Sequence, residues 1–368
     1  MKIIFHIAHP SQFYIFRNVI NNISNNHSII ITYTKKDVLE DLIKDSEHST
    51  ISYPVEAKKY SGFNYVSQLI NFLNKEKGFA KIVKNFKPDL IIGTSVVIAH
   101  ISKLFKTKSI ILNEDDFDII KKSANLGYSF VDHIISPKIV RTGKWKNKVI
   151  GYNGYQKLTY LHPSIFNSNE SEINHLLNLE KDFSLLRFSS LKAHHDTGIK
   201  GLEIDIIRKL ISKLLQIGEV YISSEIDLPD DLQKYKLKIP PKYIHTILKH
   251  SKILISDSQS MSMEAAMLGT PSIRFNDFVG RISVLNELEE IYGLTFGIKP
   301  TNTKLLFSKT DFLLNQPDIK TLFKERRDKM INDKIDVLSF FCWLIDNYPQ
   351  SLNIIKQNTC FIDREFKE

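Results

Sequence analysis

The sequence predicts an α/β protein of two domains, each a parallel sheet covered by helices on both faces. Three observations carry this. At 368 residues the chain is too long for one ordinary core and suits two domains of common size. Short apolar strands alternate with amphipathic helices in two separate series, the pattern of a parallel sheet. Between the series, Asn153 to Glu172 is polar and lacks periodicity, with Gly154, His162-Pro163 and Asn167-Ser168-Asn169-Glu170-Ser171. An interdomain linker is expected there.

In the first series, apolar runs predict strands at Lys2–Ala8, Ser28–Tyr33, Asp89–Thr94, Ser109–Leu112 and Asp132–Ser136. Amphipathic spacing predicts helices between them at Gln12–Ile23, Val38–Lys44, Tyr65–Asn85, Ser95–Phe105 and Asp116–Asn125. The second series gives strands at Phe183–Ser189, Glu219–Ser223, Lys252–Ser256 and Ser272–Phe275, with helices at Leu202–Leu215, Lys242–Lys249 and Met261–Leu268. A last helix, about Ile335 to Tyr348 with Trp343, is expected to cross back to the first domain. The expected division is therefore 1–160, 161–334 and a C-terminal helix and tail, 335–368. Two such domains on a hinge would leave a cleft, and ligands of open α/β sheets settle beyond the carboxyl ends of the strands.

Composition narrows the function. With 42% hydrophobic and 25% charged residues the chain is ordinary globular material. No run approaches the roughly 18 apolar residues of a membrane span. The N-terminus is interrupted by His6 and His9 too soon for a secretory signal and reads as a first buried strand. Two cysteines, Cys342 and Cys360, imply neither a disulfide framework nor a zinc site. A cytoplasmic protein is expected. The net charge of +9 is spread out, and basic pieces such as Lys144-Trp145-Lys146-Asn147-Lys148 are short, so nucleic acid is not an expected partner. The surplus fits anionic small molecules or the inner face of a membrane, where each nearby Lys or Arg adds about 1 kcal/mol. It equally fits the Lys, Ile and Asn bias of an AT-rich genome.

The segment from Ser256 to Pro271 is the most informative. The run Lys252 to Ile255 reads as a buried strand, a cluster of small hydroxyl residues follows, and a helix runs to Leu268 before Gly269 and Pro271. Such a turn presents backbone N–H groups and a positive helix end to a phosphate. Glu264, four residues after Ser260, shares its helix face and could accept hydrogen bonds from ribose hydroxyls. The competing reading is an ordinary capped helix.

Other segments carry a resemblance. They are His9-Pro10 with Phe16-Arg17-Asn18-Val19-Ile20, Gly154-Tyr155-Gln156-Lys157-Leu158 with Tyr160-Leu161-His162-Pro163, and Arg187-Phe188-Ser189. Ala193-His194-His195-Asp196 with Gly198 and Gly201-Leu202, Ile222-Ser223-Ser224-Glu225, Ile239-Pro240-Pro241 with Ile244-His245, and Ser256 through Arg274 continue the set. Phe278-Val279-Gly280 and Glu287-Leu288-Glu289-Glu290 complete it. On these the chain resembles the GT-B glycosyltransferase fold, two Rossmann-like domains with a cleft between them. Within it, the branch shared with UDP-N-acetylglucosamine 2-epimerases is nearest, and domain-of-unknown-function family 354 is nearer still. The resemblance implies a phosphate-side serine at Ser258 and a ribose-binding glutamate at Glu264. Gln259 and Ser260 stand where the epimerases carry phosphate-facing glycines, and Thr94-Ser95 stands where they place an aspartate. Glu114 falls near an epimerase glutamate. Losing one acid argues against epimerisation, whereas glycosyl transfer needs a bound donor, one base and a stabilised diphosphate.

Each candidate has a competing structural reading. His194 and His195, with Arg187 and Lys192, could meet the diphosphate, or the histidines could simply cap a helix. His9, near Gln12 and Tyr14, could serve as the base for an acceptor hydroxyl or cap the helix after it. Glu114 or Asp115, in Glu114-Asp115-Asp116-Phe117-Asp118, could be the base instead, while Asp115 and Asp116 could be helix N-terminal charges. Those acids are a weak metal signal, and no metal or cofactor is expected. Glu225 and Asp227 lie near the nucleoside or are merely exposed, and His245 packs or caps. Arg274 reaches the sugar or diphosphate, or belongs to a buried salt bridge.

The expectation is thus a glycosyltransferase moving a sugar from a nucleotide donor, a UDP-sugar by the resemblance, to a glycan or lipid-linked acceptor of a surface polysaccharide. That acceptor would bring the enzyme transiently to the inner face of the membrane. The rivals are a sugar-nucleotide epimerase or hydrolase and a non-catalytic nucleotide-sugar-binding scaffold.

Overall fold

The computed structural model describes residues 1–35, 38–56, 65–188, 201–225 and 227–367. Contact density divides the chain into two compact units, Met1–Tyr160 with Ile335–Lys367, and Leu161–Lys334.

The first unit is a seven-stranded parallel sheet of β1 (Lys2–Ile7), β2 (Ser28–Tyr33), β3 (Ser52–Pro54), β4 (Leu90–Gly93), β5 (Lys108–Leu112), β6 (His133–Pro137) and β7 (Val149–Tyr152), in the order β3-β2-β1-β4-β5-β6-β7. This is the Rossmann order extended by one strand. The central strands are near-continuous apolar runs because both faces are covered: Ile3, Ile4 and Phe5 are fully buried, as are Leu90 and Ile91. Helix Pro10–Ile23 starts with its proline in the first turn, where no N–H is needed, and buries Phe13, Phe16, Val19 and Ile20.

The C-terminal residues return to this unit. Ile335 N donates to Asn153 O at 2.9 Å, and helix Val337–Asp346 sets Phe340 and Phe341 against Tyr152, ring centroids 5.6 and 5.4 Å away. Gly154 makes this approach possible, since a Cβ there would lie 2.5 Å from Val337 Cγ2.

The second unit is a five-stranded parallel sheet of β8 (Phe183–Phe188), β9 (Glu219–Ser224), β10 (Ile253–Ser256), β11 (Ser272–Phe275) and β12 (Thr295–Ile298), ordered β12-β11-β10-β8-β9. Read from β9 this is the 2-1-3-4-5 doubly wound order.

Three strands, β3, β7 and β12, were not expected, nor were helices Ser283–Glu290, Thr303–Leu314 and Ile319–Asn332. The strands are only three or four residues long, too short for a clear period. The supposed linker is also different from expectation. Tyr155, Leu158, Thr159 and Leu161 are all at most 2% exposed, so the start of Asn153–Glu172 is packed chain whose polar composition hid its burial.

Candidate active site

In a doubly wound sheet the ligand crevice opens where neighbouring strands lead away in opposite directions. In the second unit that point lies between β8 and β10, and β10 delivers the chain into the Ser256–Ser260 turn. Ser258 is the N-cap of helix Gln259–Leu268, its Oγ accepting from Met261 N at 3.4 Å. Its own N–H donates to Ser256 Oγ at 2.8 Å, and its carbonyl accepts from Ser262 Oγ at 2.9 Å. Asn276 braces the turn from β11, donating through Nδ2 to Asp257 O at 2.8 Å and accepting from Phe278 N at 3.0 Å.

The helix is buried all the way from Met261 to Leu268, and only Ser258, Gln259 and Ser260 reach the surface. Among the described residues nothing accepts from the backbone N–H groups of Gln259 and Ser260, the first two helical positions. Two amides and the positive helix end therefore face outward at the switch point. A helix end of this kind suits an anion.

Glu264 lies in the buried body of the helix. It is 5% exposed, and its Oε1 lies 3.6 Å from Nε2 of His245, itself 5% exposed on helix Ile244–His250. The carboxylate thus sits in the wall of the turn with an imidazole against it.

The two arginines are also more constrained than the sequence implies. Parallel register sets Arg187 on β8 and Arg274 on β11 opposite Ser256, so all three side chains leave the same face of the sheet. Arg187 Nη1 donates to Ser223 Oγ at 2.8 Å and Nη2 pairs with Glu225. Arg274 is wholly buried, and no hydrogen bond reaches any of its three guanidinium nitrogens. Its neighbour is Glu289, Nη2 to Oε2 3.9 Å. Burial lowers its pKa to about 10 against the pull of Glu289. Arg274 is thus enclosed, with Glu289 as its one ion-pair neighbour among the described residues. His194 and His195, with Lys192, lie outside the described residues.

In the first unit the switch point falls between β1 and β4. His9 follows β1, exposed, and caps helix Pro10–Ile23 with Nδ1 accepting from Ser11 N at 3.2 Å. Gln12 Oε1 accepts from Ala8 N at 2.8 Å, and Tyr14 stacks on Tyr160. After β4, Ser95 caps helix Val96–Phe105, its Oγ accepting from Val97 N at 3.3 Å.

The acids after β5 divide into separate tasks. Glu114 accepts from Gln156 N at 2.7 Å and pairs with Lys157 Nζ at 3.3 Å, with the Lys157 side chain 7% exposed. An amide and an ammonium both engage its carboxylate, which suits a positioning role. Asp116 is fully buried and accepts from Arg141 N at 2.8 Å and Arg141 Nε at 3.2 Å. It is structural. Asp115 is half-buried, its backbone held by Asn113. Among the described residues no group of three or more His, Cys, Asp and Glu side chains is arranged to hold a metal.

Sequence reasoning missed Lys157 and Asn276 as partners. Lys157 stood in the quoted Gly154–Leu158 segment, but nothing local tied it to Glu114.

The geometry matches known architectures. Over 97% of this chain and 98% of the other, it is similar to the S. aureus MnaA–UDP co-structure, TM-score 0.62 at 14% identity. It is similar to UDP-GlcNAc 2-epimerase from Neisseria meningitidis bound to UDP-GlcNAc, TM-score 0.55 at 13% identity, over 90% and 99%. The glycotransferase of kitacinnamycin matches over 94% and 98%, TM-score 0.57 at 9% identity. The chain has the GT-B fold. Both epimerases and a glycosyltransferase share it. No protein-family model matches the chain, and no curated protein does.

Proposed function

We propose that this protein binds a nucleotide-sugar at the N-terminus of helix Gln259–Leu268 and transfers the sugar to a glycan or lipid-linked acceptor in surface polysaccharide synthesis. The carrying observation is the pair of outward amides at Gln259 and Ser260, set at a topological switch point on an otherwise buried helix. Fold neighbours crystallised with UDP or UDP-GlcNAc support a UDP-sugar as donor.

In this reading the amides and the helix end take the diphosphate and stabilise the negative charge that grows on it as the glycosidic bond breaks. Ser258 and Asn276 hold the turn in shape, so no reorganisation is needed as charge develops. Glu264 accepts from the ribose hydroxyls, oriented by His245 behind it. Arg187, released from Glu225, and His194 and His195 add positive charge. No metal is required for this. His9, at the end of β1, is the preferred base for the acceptor hydroxyl. Asp115 is second, and Glu114 orients through its Lys157 ion pair.

Transfer is favoured over C2 epimerisation by the first unit. A capping hydroxyl, Ser95, stands after β4 where the epimerase pattern has an acid, and the Glu114 carboxylate is engaged by Gln156 N and Lys157 Nζ.

The test is incubation with UDP-sugars in the presence and absence of a lipid-linked or oligosaccharide acceptor. Acceptor-dependent UDP release supports transfer. UDP release or C2 inversion from UDP-N-acetylglucosamine alone establishes the epimerase or hydrolase reading. Tight UDP binding with neither reaction makes the protein a binding scaffold.

A further inference from the structure

We infer that the first unit carries a docking face for an anionic lipid bilayer, built where strands β4 and β5 begin, at the sheet edge away from His9 and Ser95. Two independent features meet there. The first is a basic pocket of about 430 Å³ lined by Lys84, Lys87, Lys106 and Lys108 together with Phe105. Its one carboxylate, Asp89, accepts from the backbone N–H of Lys2 at 2.7 Å. Lys87 and Lys106 end their helices at φ +53° and +56°, in the left-handed region that suits glycine, and both line the pocket. Such a cavity accommodates a phosphodiester headgroup.

The second feature is an exposed apolar cluster beside it. Leu104 is 69% exposed, Leu126 60% and Phe130 43%. His100 joins them: its Nε2 bonds Leu126 O at 2.8 Å and its ring meets Phe130 edge-on at 5.1 Å, with Leu104 one turn further along the same helix face. The loop that presents Phe130 is prebuilt, because Lys148 Nζ donates to the carbonyls of Tyr128, Ser129 and Val131 at 3.0, 2.8 and 2.7 Å. Lys108, which lines the pocket, pairs at 3.1 Å with Asp132, two residues after Phe130.

Aliphatic and aromatic side chains standing in water among lysines match an interface that offers hydrocarbon beneath a negative surface. Nucleic acid offers the charge without the hydrocarbon. Among the described residues no helix is long and apolar enough to cross a membrane, so the contact is peripheral.

The inference does not depend on the nucleotide-sugar reading, and UDP binding measured on the same preparations keeps the two apart. The full chain is sedimented with vesicles of phosphatidylcholine alone and of phosphatidylcholine with about one-third phosphatidylglycerol, at about 0.1 M salt. Binding is expected only to the anionic vesicles. Lys84→Glu with Lys106→Glu, and separately Leu104→Ser with Phe130→Ser, are each expected to weaken it about tenfold or more. All four positions are exposed, and circular dichroism with an unchanged UDP affinity checks that the variants fold. No binding to anionic vesicles overturns the inference. So does binding that survives either pair of substitutions, or retention of a DNA oligonucleotide in place of the vesicles.

Discussion

Glu264 and His245 share a buried contact: Oε1 lies 3.6 Å from Nε2, with 7% and 6% of the two side chains exposed. The pair makes Glu264 a fixed feature of the turn wall rather than a mobile surface acid. Under the proposed function, Glu264→Gln keeps the shape, removes the charged acceptor and weakens UDP about tenfold, since a bond to a charged group contributes about 1.5–3 kcal/mol. His245→Leu leaves a buried carboxylate without its imidazole and should cost about 3 kcal/mol of stability. Titration calorimetry and urea denaturation separate the two effects. An unchanged UDP affinity in Glu264→Gln would reduce Glu264 to a core residue.

Arg274 supplies a second test. Arg274→Met alone leaves Glu289, half-buried and bonded by Gly297 N at 2.9 Å, without its cation, and should destabilise by about 2–3 kcal/mol. Arg274→Met with Glu289→Leu removes both charges and should recover most of that loss. UDP affinity should stay unchanged in both. Loss of UDP binding with the fold intact would return Arg274 to the donor site.

Gly297 is the tightest neighbour of that pair. A Cβ there would lie 2.8 Å from Val279 Cγ1 and 2.9 Å from Arg274 Nη2. Gly297→Ala is expected to cost about 1–3 kcal/mol by overpacking, read as a fall in melting temperature.

Much of the fold was legible because both sheets are built from runs such as Lys2–Ile7 and Ile253–Ser256, bounded by turn residues and separated by amphipathic helices. The Ser256–Gly269 turn and helix were legible for the same reason, since capping serines and a terminal glycine mark both ends. Short edge strands such as Ser52–Pro54 leave no period to read. Side-chain partners were not legible either. Lys157 meets Glu114, Arg141 meets Asp116 and His245 meets Glu264 across separations that only the folded chain closes. Those pairings separate a structural acid from a functional one.

His6 predicts a pH dependence. It is buried in β1, bonded to Thr32 Oγ1 at 3.0 Å, and its pKa is lowered by burial and then by Lys75, from 6.5 to about 4. Between these values the unfolded chain binds the proton and the folded one does not, so stability is full above pH 6.5 and falls as the pH approaches 4. The loss attributable to His6 is about 3 kcal/mol. Urea denaturation at several pH values should show a steeper decline for the native chain than for His6→Asn.

The central claim is that the first-turn amides of helix Gln259–Leu268 hold a diphosphate. Gln259→Pro tests it, because proline at the first helical position removes one N–H while preserving the helix, and Ser258 already has the extended backbone that proline requires before it (φ −82°, ψ 125°). The measurement is the calorimetric affinity of UDP and uridine for native and Gln259→Pro protein. The account predicts that native protein binds UDP far better than uridine, and that Gln259→Pro weakens UDP about tenfold with little effect on uridine. Equal affinity for UDP and uridine, or UDP binding untouched by Gln259→Pro, would contradict it.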